Sequence, residues 1–165
     1  MSLDPAARIP GFHLRVEIWE AYADARVRQH DGISQERTAV EFWNRERYAD
    51  AADAYSEAAS AHRGGSTALA NTLELVDELL DVDSETVDAD SLLTFIPDAV
   101  SWFEYRATYA TEMAAASTEM SQGRSTSARQ HFDAAMDALD ASEETSVATV
   151  NQVGVALGLD DPIVD

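Results

Sequence analysis

The sequence predicts an all-α fold. Only seven glycines and four prolines occur among 165 residues, and alanine is abundant. No stretch alternates apolar and polar residues between turn signals as a β-strand would, whereas apolar residues recur every three or four positions along most of the chain. We therefore expect antiparallel helical hairpins, with six or seven helices joined by short loops, arranged as an open array or a closed bundle.

The length of the chain predicts one helical domain. A chain of 165 residues, 45% of them hydrophobic, is long enough for one core and too short for two domains of usual size. We place this domain at residues 12–158, after a flexible N-terminus (1–11) and before a C-terminal tail (159–165). The acidic segment 81–90 has no apolar period and is predicted to be an exposed loop within the domain.

Glycines are expected to end the first helices. The first helix is predicted over residues 12–28, with Asp31-Gly32 as its end, and a later helix that begins near Tyr48 is predicted to stop at Gly64-Gly65. Ser34 and Ser66 are placed to open the helices that follow. The stripe of the first helix that we expect to face the core consists of Phe12, Val16, Trp19, Ala23 and Val27.

In the second half of the chain, a helix is predicted from Ser91 to Gly123. Pro97 is either the first residue of this helix or a kink within it. Gly123 suits a left-handed C-cap. Ser127 with Gln130 fits a capping box for the next helix, although Ser125 and Thr126 compete for the N-cap position. The last helix is expected to terminate at Gly158, with Leu159 and Pro162 following as a hydrophobic contact and a stop.

The most unusual segment is the aromatic run 102–109. One stripe of this helix is Ile96, Val100, Phe103, Ala107, Ala110 and Ala114, and a second is Trp102, Tyr105, Tyr109, Met113, Ala116 and Met120. A helix with two apolar faces is normally central, so we favour both stripes as core. Alternatively the second stripe lines a groove, because Trp, Tyr, Met and Arg are enriched where partners bind. The candidate binding residues are Trp102, Tyr105, Arg106 and Tyr109, and Arg106 needs a carboxylate partner if it is buried.

The composition indicates a protein adapted to salt. Lysine is absent, and 31 acidic residues against 11 arginines give a net charge of -20. At molar salt the screening length falls to about 3 Å, which removes most of the self-repulsion. The chain thus resembles proteins of extremely halophilic archaea, which keep acidic, lysine-poor surfaces. The resemblance implies that the acidity is an environmental adaptation. We expect a cytoplasmic protein that binds neither nucleic acid nor membranes, because its arginines are isolated and it has no apolar run of about 20 residues.

A spacing of alanine, aromatic and alanine occurs twice. The copies are Ala51, Tyr55 and Ala58, and Ala128, Phe132 and Ala135. Segments 45–61 and 122–141 resemble the second helix of tetratricopeptide repeats, over about a fifth of the chain. The resemblance implies helical hairpins in which the second helix nests against its partner. The tryptophan, leucine and glycine expected in the first helix of the repeat are missing, as is its closing proline.

No motif in the sequence points to a cofactor or a reaction. Cysteine is absent, and the four histidines lie on different predicted segments without metal-ligand spacing, so we predict no metal and no cofactor, although a three-histidine site assembled across helices is an alternative. The leading hypothesis is a non-catalytic interaction domain that presents an apolar groove to a protein or peptide partner or to a second copy of itself. The alternative is an enzyme or small-molecule sensor with a pocket around Trp102, Tyr105, Arg106 and Tyr109.

The charge balance predicts that folding depends on salt. Circular dichroism from about 0.05 M to about 3 M potassium chloride should show helicity rising with salt, because the screening length falls from more than about 10 Å to less than about 3 Å. A cooperative melt that is unchanged across this range would contradict the salt adaptation.

Overall fold

The computed structural model of the protein describes residues 11–82 and 89–158, and all the regular structure in these ranges is helical. The helices are α1 (Phe12–Asn44), α2 (Tyr48–Ala70), α3 (Leu73–Val82), α4 (Ala89–Ser121), α5 (Ser125–Thr145) and α6 (Ala148–Ala156). The all-α prediction is therefore confirmed. Residues 1–10, the central part of the predicted acidic loop (83–88) and the predicted tail (159–165) lie outside the described residues.

Over these two ranges the helices form four rods rather than six or seven separate hairpin helices. Only Asn71 and Thr72 separate α2 from α3, and the backbone N–H of Thr72 donates to the carbonyl of Leu69 across this short break. Ser146 and Val147 separate α5 from α6, where Ser146 adopts a positive φ of 64°. The prediction of six or seven separate hairpin helices is therefore wrong, because it placed ends at Gly32, Gly64 and Gly65, which the structure keeps inside helices.

Neighbouring rods run antiparallel, with α2 between α1 and α4, and with α5 and α6 on the other side of α4. The register is fixed by close approaches of Gly32 to His62 and Arg28 to Gly64 across α1 and α2, of Gly65 to Phe103 across α2 and α4, and of His131 to Glu112 across α5 and α4. The first rod also meets α6, where Tyr22 lies against Gly154. The pairs α1 and α2, α2 and α4, and α4 and α5 therefore each pack along a shared length.

The glycines of the first half admit close packing and do not end helices. Gly32 lies inside α1, and Gly64 and Gly65 lie inside α2. A Cβ atom at Gly32 would lie 2.4 Å from the His62 ring, and one at Gly65 would lie 2.4 Å from the Phe103 ring. The predicted ends at these positions are therefore wrong, because glycine here allows the rings of a neighbouring helix to approach the backbone.

The predicted core stripe of the first helix faces outward. All five residues from Phe12 to Val27 in that stripe are exposed, whereas a different row is buried. The buried row is Leu14, Ile18, Tyr22, Ala25, Gln29, Gly32, Glu36 and Ala39. At 100° per residue the two rows are about 150° apart, so α1 carries apolar residues on opposite faces. The sequence pattern of residues 12–28 did not decide between them, because Leu14, Ile18, Tyr22 and Ala25 form a second apolar row over the same residues.

The other predicted helix starts and ends agree with the structure in part. Gly123 and Gly158 adopt the predicted left-handed conformation, with φ of 72° and 83°. Pro97 lies within α4 and not at its start, which settles the alternative left open by the sequence. The capping box predicted at Ser127 is wrong, because α5 already begins at Ser125 and its N-cap makes no side-chain hydrogen bond.

The interior of the described residues contains two apolar clusters. The first cluster joins α1, α3, α4 and α6 and the end of α2 around Ile18, Phe103 and Val150, and the second joins α1, α2, α4 and α5 around Tyr55 and Ala135. Along α1, the buried residue Glu36 lies between the residues of the first cluster and those of the second. Along α2, His62 lies between the two clusters in the same way. A buried polar layer thus separates the two apolar clusters.

Candidate functional site

The structure divides the four predicted binding residues between the interior and the surface. Trp102 and Tyr109 are buried, with 4% and 8% of their surface exposed, whereas Tyr105 is 40% exposed. Met113 and Ala116 of the same predicted stripe are also buried. The interpretation of this stripe as core is therefore confirmed for four of its six positions. Met120 is half-buried, and the interpretation is wrong for Tyr105, which lies at the edge of the stripe and is exposed.

Arg106 is tied to the polar layer. Its Nη2 donates to Oε2 of Glu36 on α1, and the other oxygen of Glu36 lies 3.0 Å from Nε2 of His62 on α2. His62 is fully buried and Glu36 nearly so, while Arg106 is partly exposed. One buried carboxylate therefore holds side chains from two other helices, and we call Glu36, His62 and Arg106 the triad.

Aromatic rings surround the triad. The rings of His62 and Trp102 meet edge to face at 5.7 Å, and the Trp102 ring meets that of Phe103 at 5.0 Å. The guanidinium of Arg106 lies over two rings, 5.9 Å from the centre of Trp102 and 5.2 Å from that of Tyr109. Such contacts with the negative faces of the rings stabilise a partly desolvated cation. The aromatic run that the sequence singled out therefore serves to enclose the triad.

Burial keeps the tyrosines beside the triad uncharged. Burial raises the pKa of Tyr55 far above its usual value, and the neighbouring Tyr109 and the carboxylate of Glu36 raise it further, against the opposing charge of Arg106. The pKa of Tyr109 is also raised, mainly by burial. The folded state thus favours neutral phenols, and this contribution to stability is lost as the pH rises above about 10, where the unfolded chain ionises first.

An open cleft of about 360 Å³ lies between α1 and the rod of α5 and α6, with α4 below it. It is lined by Ile33, Trp102, Arg106, Ser142, Glu143, Ser146 and Val147. Three of the polar side chains here have local partners: Arg106 is paired with Glu36 through Nη2, Ser142 donates to the carbonyl of Leu139, and the Ser146 hydroxyl accepts from the Ala148 N–H. The Glu143 side chain is exposed, and Nε of Arg106 is buried without a hydrogen-bond partner. The cleft therefore retains two of the predicted site residues, and most of its polar side chains are engaged within the chain.

A second open groove, of about 570 Å³, lies between α2 and α4. Its lining comprises Arg63, Ser66, Thr67, Glu104, Ala107, Thr108, Thr111 and Glu112. Arg63 donates to the Thr111 hydroxyl across the groove at 2.6 Å, and Glu112 accepts from Nδ1 of His131 at 2.7 Å. Within residues 11–82 and 89–158, no group of three or more His, Cys, Asp and Glu side chains is placed to hold a metal ion.

The outward row of α1 is a surface feature that the sequence interpretation misassigned. We define the outer stripe as Phe12, Val16, Trp19, Ala23 and Val27; its four large members are between 37% and 59% exposed. The next position on this face is His30 and then Ser34, so the stripe ends at Val27. The presence of two apolar rows on one helix was the signal that could have identified it, since a single core needs only one.

No family model, no curated protein and no solved structure matched the chain in comparisons with known proteins. Among the described helices, none is both long enough and apolar enough to cross a membrane. The features of the described residues that bear on function are the triad, the two open grooves and the outer stripe.

The burial of the aromatic run predicts the cost of truncating it. Trp102→Ala should destabilise the protein by about 3–5 kcal/mol, comparable with Phe103→Ala, because each removes a large buried ring. Tyr105→Ala is the control on the same helix and should change stability by less than about 1 kcal/mol, since its ring is exposed. Urea unfolding at constant molar salt measures all three. A Trp102→Ala variant as stable as wild type would contradict the packing described here.

Proposed function

We propose that this chain is a non-catalytic interaction domain that binds a protein partner through the outer stripe of α1. The observation that carries the proposal is the stripe itself, whose exposed members include Phe12 and Trp19. Large exposed apolar rows are uncommon on monomeric proteins and mark surfaces that another molecule covers. Tryptophan is also the residue type most enriched among the side chains that dominate binding energy.

The outer stripe lacks charged residues, in contrast to the chain as a whole. One quarter of the residues are charged, and the net charge is -20. From Phe12 to Val27, a span of about 22 Å at 1.5 Å per residue, the outward row of α1 nevertheless carries no charged residue. A surface adapted only to salt would place acids at these positions. The stripe is therefore better explained by a contact than by solvation.

The alternative hypothesis, a pocket around the aromatic run, has less support. Of its four residues, Trp102 and Arg106 line the cleft beside α1, while Tyr109 is packed in the core and Tyr105 is exposed. A catalytic or sensory pocket is usually enclosed and has polar groups directed at a ligand. Here the cleft is open, and the triad uses the guanidinium of Arg106 internally. These features favour binding at a surface.

The proposal includes the expectations drawn from composition, namely a salt-adapted cytoplasmic protein whose partner is a protein or peptide. The tetratricopeptide-like hairpin remains a hypothesis within it. Ala51, Tyr55 and Ala58 are fully buried, which suits the nesting role, whereas Phe132 of the second copy is 38% exposed. The two copies therefore pack differently, and the proposal does not depend on repeat ancestry.

The test compares two polar variants of α1. In Val16→Ser/Trp19→Ser the outer stripe is interrupted, and in Val40→Ser an exposed valine outside the stripe is changed on the same helix. Because these positions are exposed, both variants should stay within about 1 kcal/mol of wild-type stability. Affinity capture at molar salt from cells that make the protein, followed by sedimentation with each purified partner, measures binding.

Wild type and Val40→Ser should bind the same partner, and the stripe variant should bind it at least about tenfold more weakly, as expected when a central tryptophan is lost. Partner binding that survives in the stripe variant but is lost in Tyr105→Ser would contradict the proposal and would direct attention to α4.

A further inference from the structure

We infer that the partner contacts the outer stripe with an amphipathic helix whose apolar row is bordered by arginine or lysine. This inference rests on the function proposed above and names the chemistry of the partner. Spacings of four, three, four and four residues from Phe12 to Val27 make a narrow row along one helix. A row of this width matches the seam of a helix pair and is narrower than the face that a globular core covers.

The side of the stripe that is open to a partner is acidic. Glu17, Glu20, Asp24 and Asp31 form a row about 90° from the stripe, and all four are exposed. Asp24 is paired with Arg28 at 2.8 Å, and Asp31 lies 3.7 Å from His30. Glu17 and Glu20 form no salt bridge with another described residue. Two uncompensated carboxylates therefore border the centre of the stripe.

The opposite border of the stripe is basic, but its arginines interact with other residues of the chain. Arg15 and Arg26 lie about 70° from the stripe on the side that faces α6. Arg26 donates to Gln29 at 2.6 Å and to Asn151 of α6 at 2.7 Å, and Arg15 also has an interaction partner in the chain. Arg26 thus joins α1 to α6, and both cations are engaged within the chain, so an incoming helix meets mainly the acidic border.

A second copy of the chain fits this surface poorly. If two α1 helices packed antiparallel about a two-fold axis, like borders would meet and Glu20 would lie near Glu20 of the other copy. If they packed parallel, the acidic border would face Arg26, which is already engaged. Charge complementarity therefore selects a different protein with a basic border.

The test uses the full chain and two synthetic helical peptides of about 18 residues, long enough to cover the stripe. Both peptides carry the same leucine and alanine row and a fluorophore; one has arginine at the bordering positions and the other has glutamine. Fluorescence anisotropy gives the dissociation constants at each potassium chloride concentration at which circular dichroism shows the protein fully helical.

The arginine-bordered peptide should bind about three- to tenfold more tightly than the glutamine-bordered one at the lowest such salt, and this ratio should shrink as salt rises. Glu17→Gln/Glu20→Gln should abolish the ratio while leaving the glutamine-bordered peptide bound. Asp137→Asn/Asp140→Asn removes the same charge from exposed positions of α5 and should preserve the ratio, which separates local pairing from attraction to the whole chain.

Each other outcome counts against the inference. Equal binding of both peptides that is lost in Trp19→Ser would overturn the basic partner but keep the stripe as a binding surface. A dimer that Trp19→Ser dissociates would make a second copy the occupant. Binding of neither peptide would overturn the helical partner, and binding that Trp19→Ser leaves unchanged would overturn both this inference and the role of the stripe in the proposed function.

Discussion

The Glu36 carboxylate is the constraint on which the rest of the structure depends. A buried carboxylate costs several kcal/mol in desolvation unless its oxygens are paired, and here one oxygen meets His62 and the other meets Arg106. Because these partners come from α2 and α4, satisfying one group fixes the register of three helices at once. Sliding any of them by a turn would leave a charge buried without a partner.

The need to pair the buried Glu36 carboxylate also explains the packing around the triad. Gly32 lies one turn before Glu36, and its missing side chain leaves the space that the His62 ring occupies. The rings of Trp102 and Phe103 also pack against the His62 ring. Apolar clusters then form on either side of the polar layer. The outer stripe contributes nothing to this interior, since it lies on the opposite face of α1. It is therefore free to serve binding without compromising the fold.

The fold class and the central position of the aromatic helix were predictable from the sequence, because periodicity over many residues determines them. The roles of Gly32 and Gly65 were not predictable. Glycine residues both end helices and allow close contacts between helices, and only the position of the neighbouring helix distinguishes these two roles. Likewise the sequence showed that Arg106 needs a carboxylate but could not select Glu36 among 31 acids, 70 positions away. The outward orientation of the Phe12–Val27 row was not predictable, because both apolar rows of α1 satisfy the helical period.

A double-mutant cycle between Glu36 and Arg106 tests the central claim most directly. Glu36→Gln, Arg106→Met and the double variant are unfolded by urea at constant molar salt, beside the same cycle on the exposed pair Glu41 and Arg45, whose charges lie 3.7 Å apart. If the triad fixes the helices, each single change should cost about 3–5 kcal/mol and the double variant clearly less than their sum, with a coupling of about 2–3 kcal/mol. The exposed pair should couple by less than about 1 kcal/mol. Additive losses at Glu36 and Arg106, or a coupling no larger than that of the exposed pair, would contradict it.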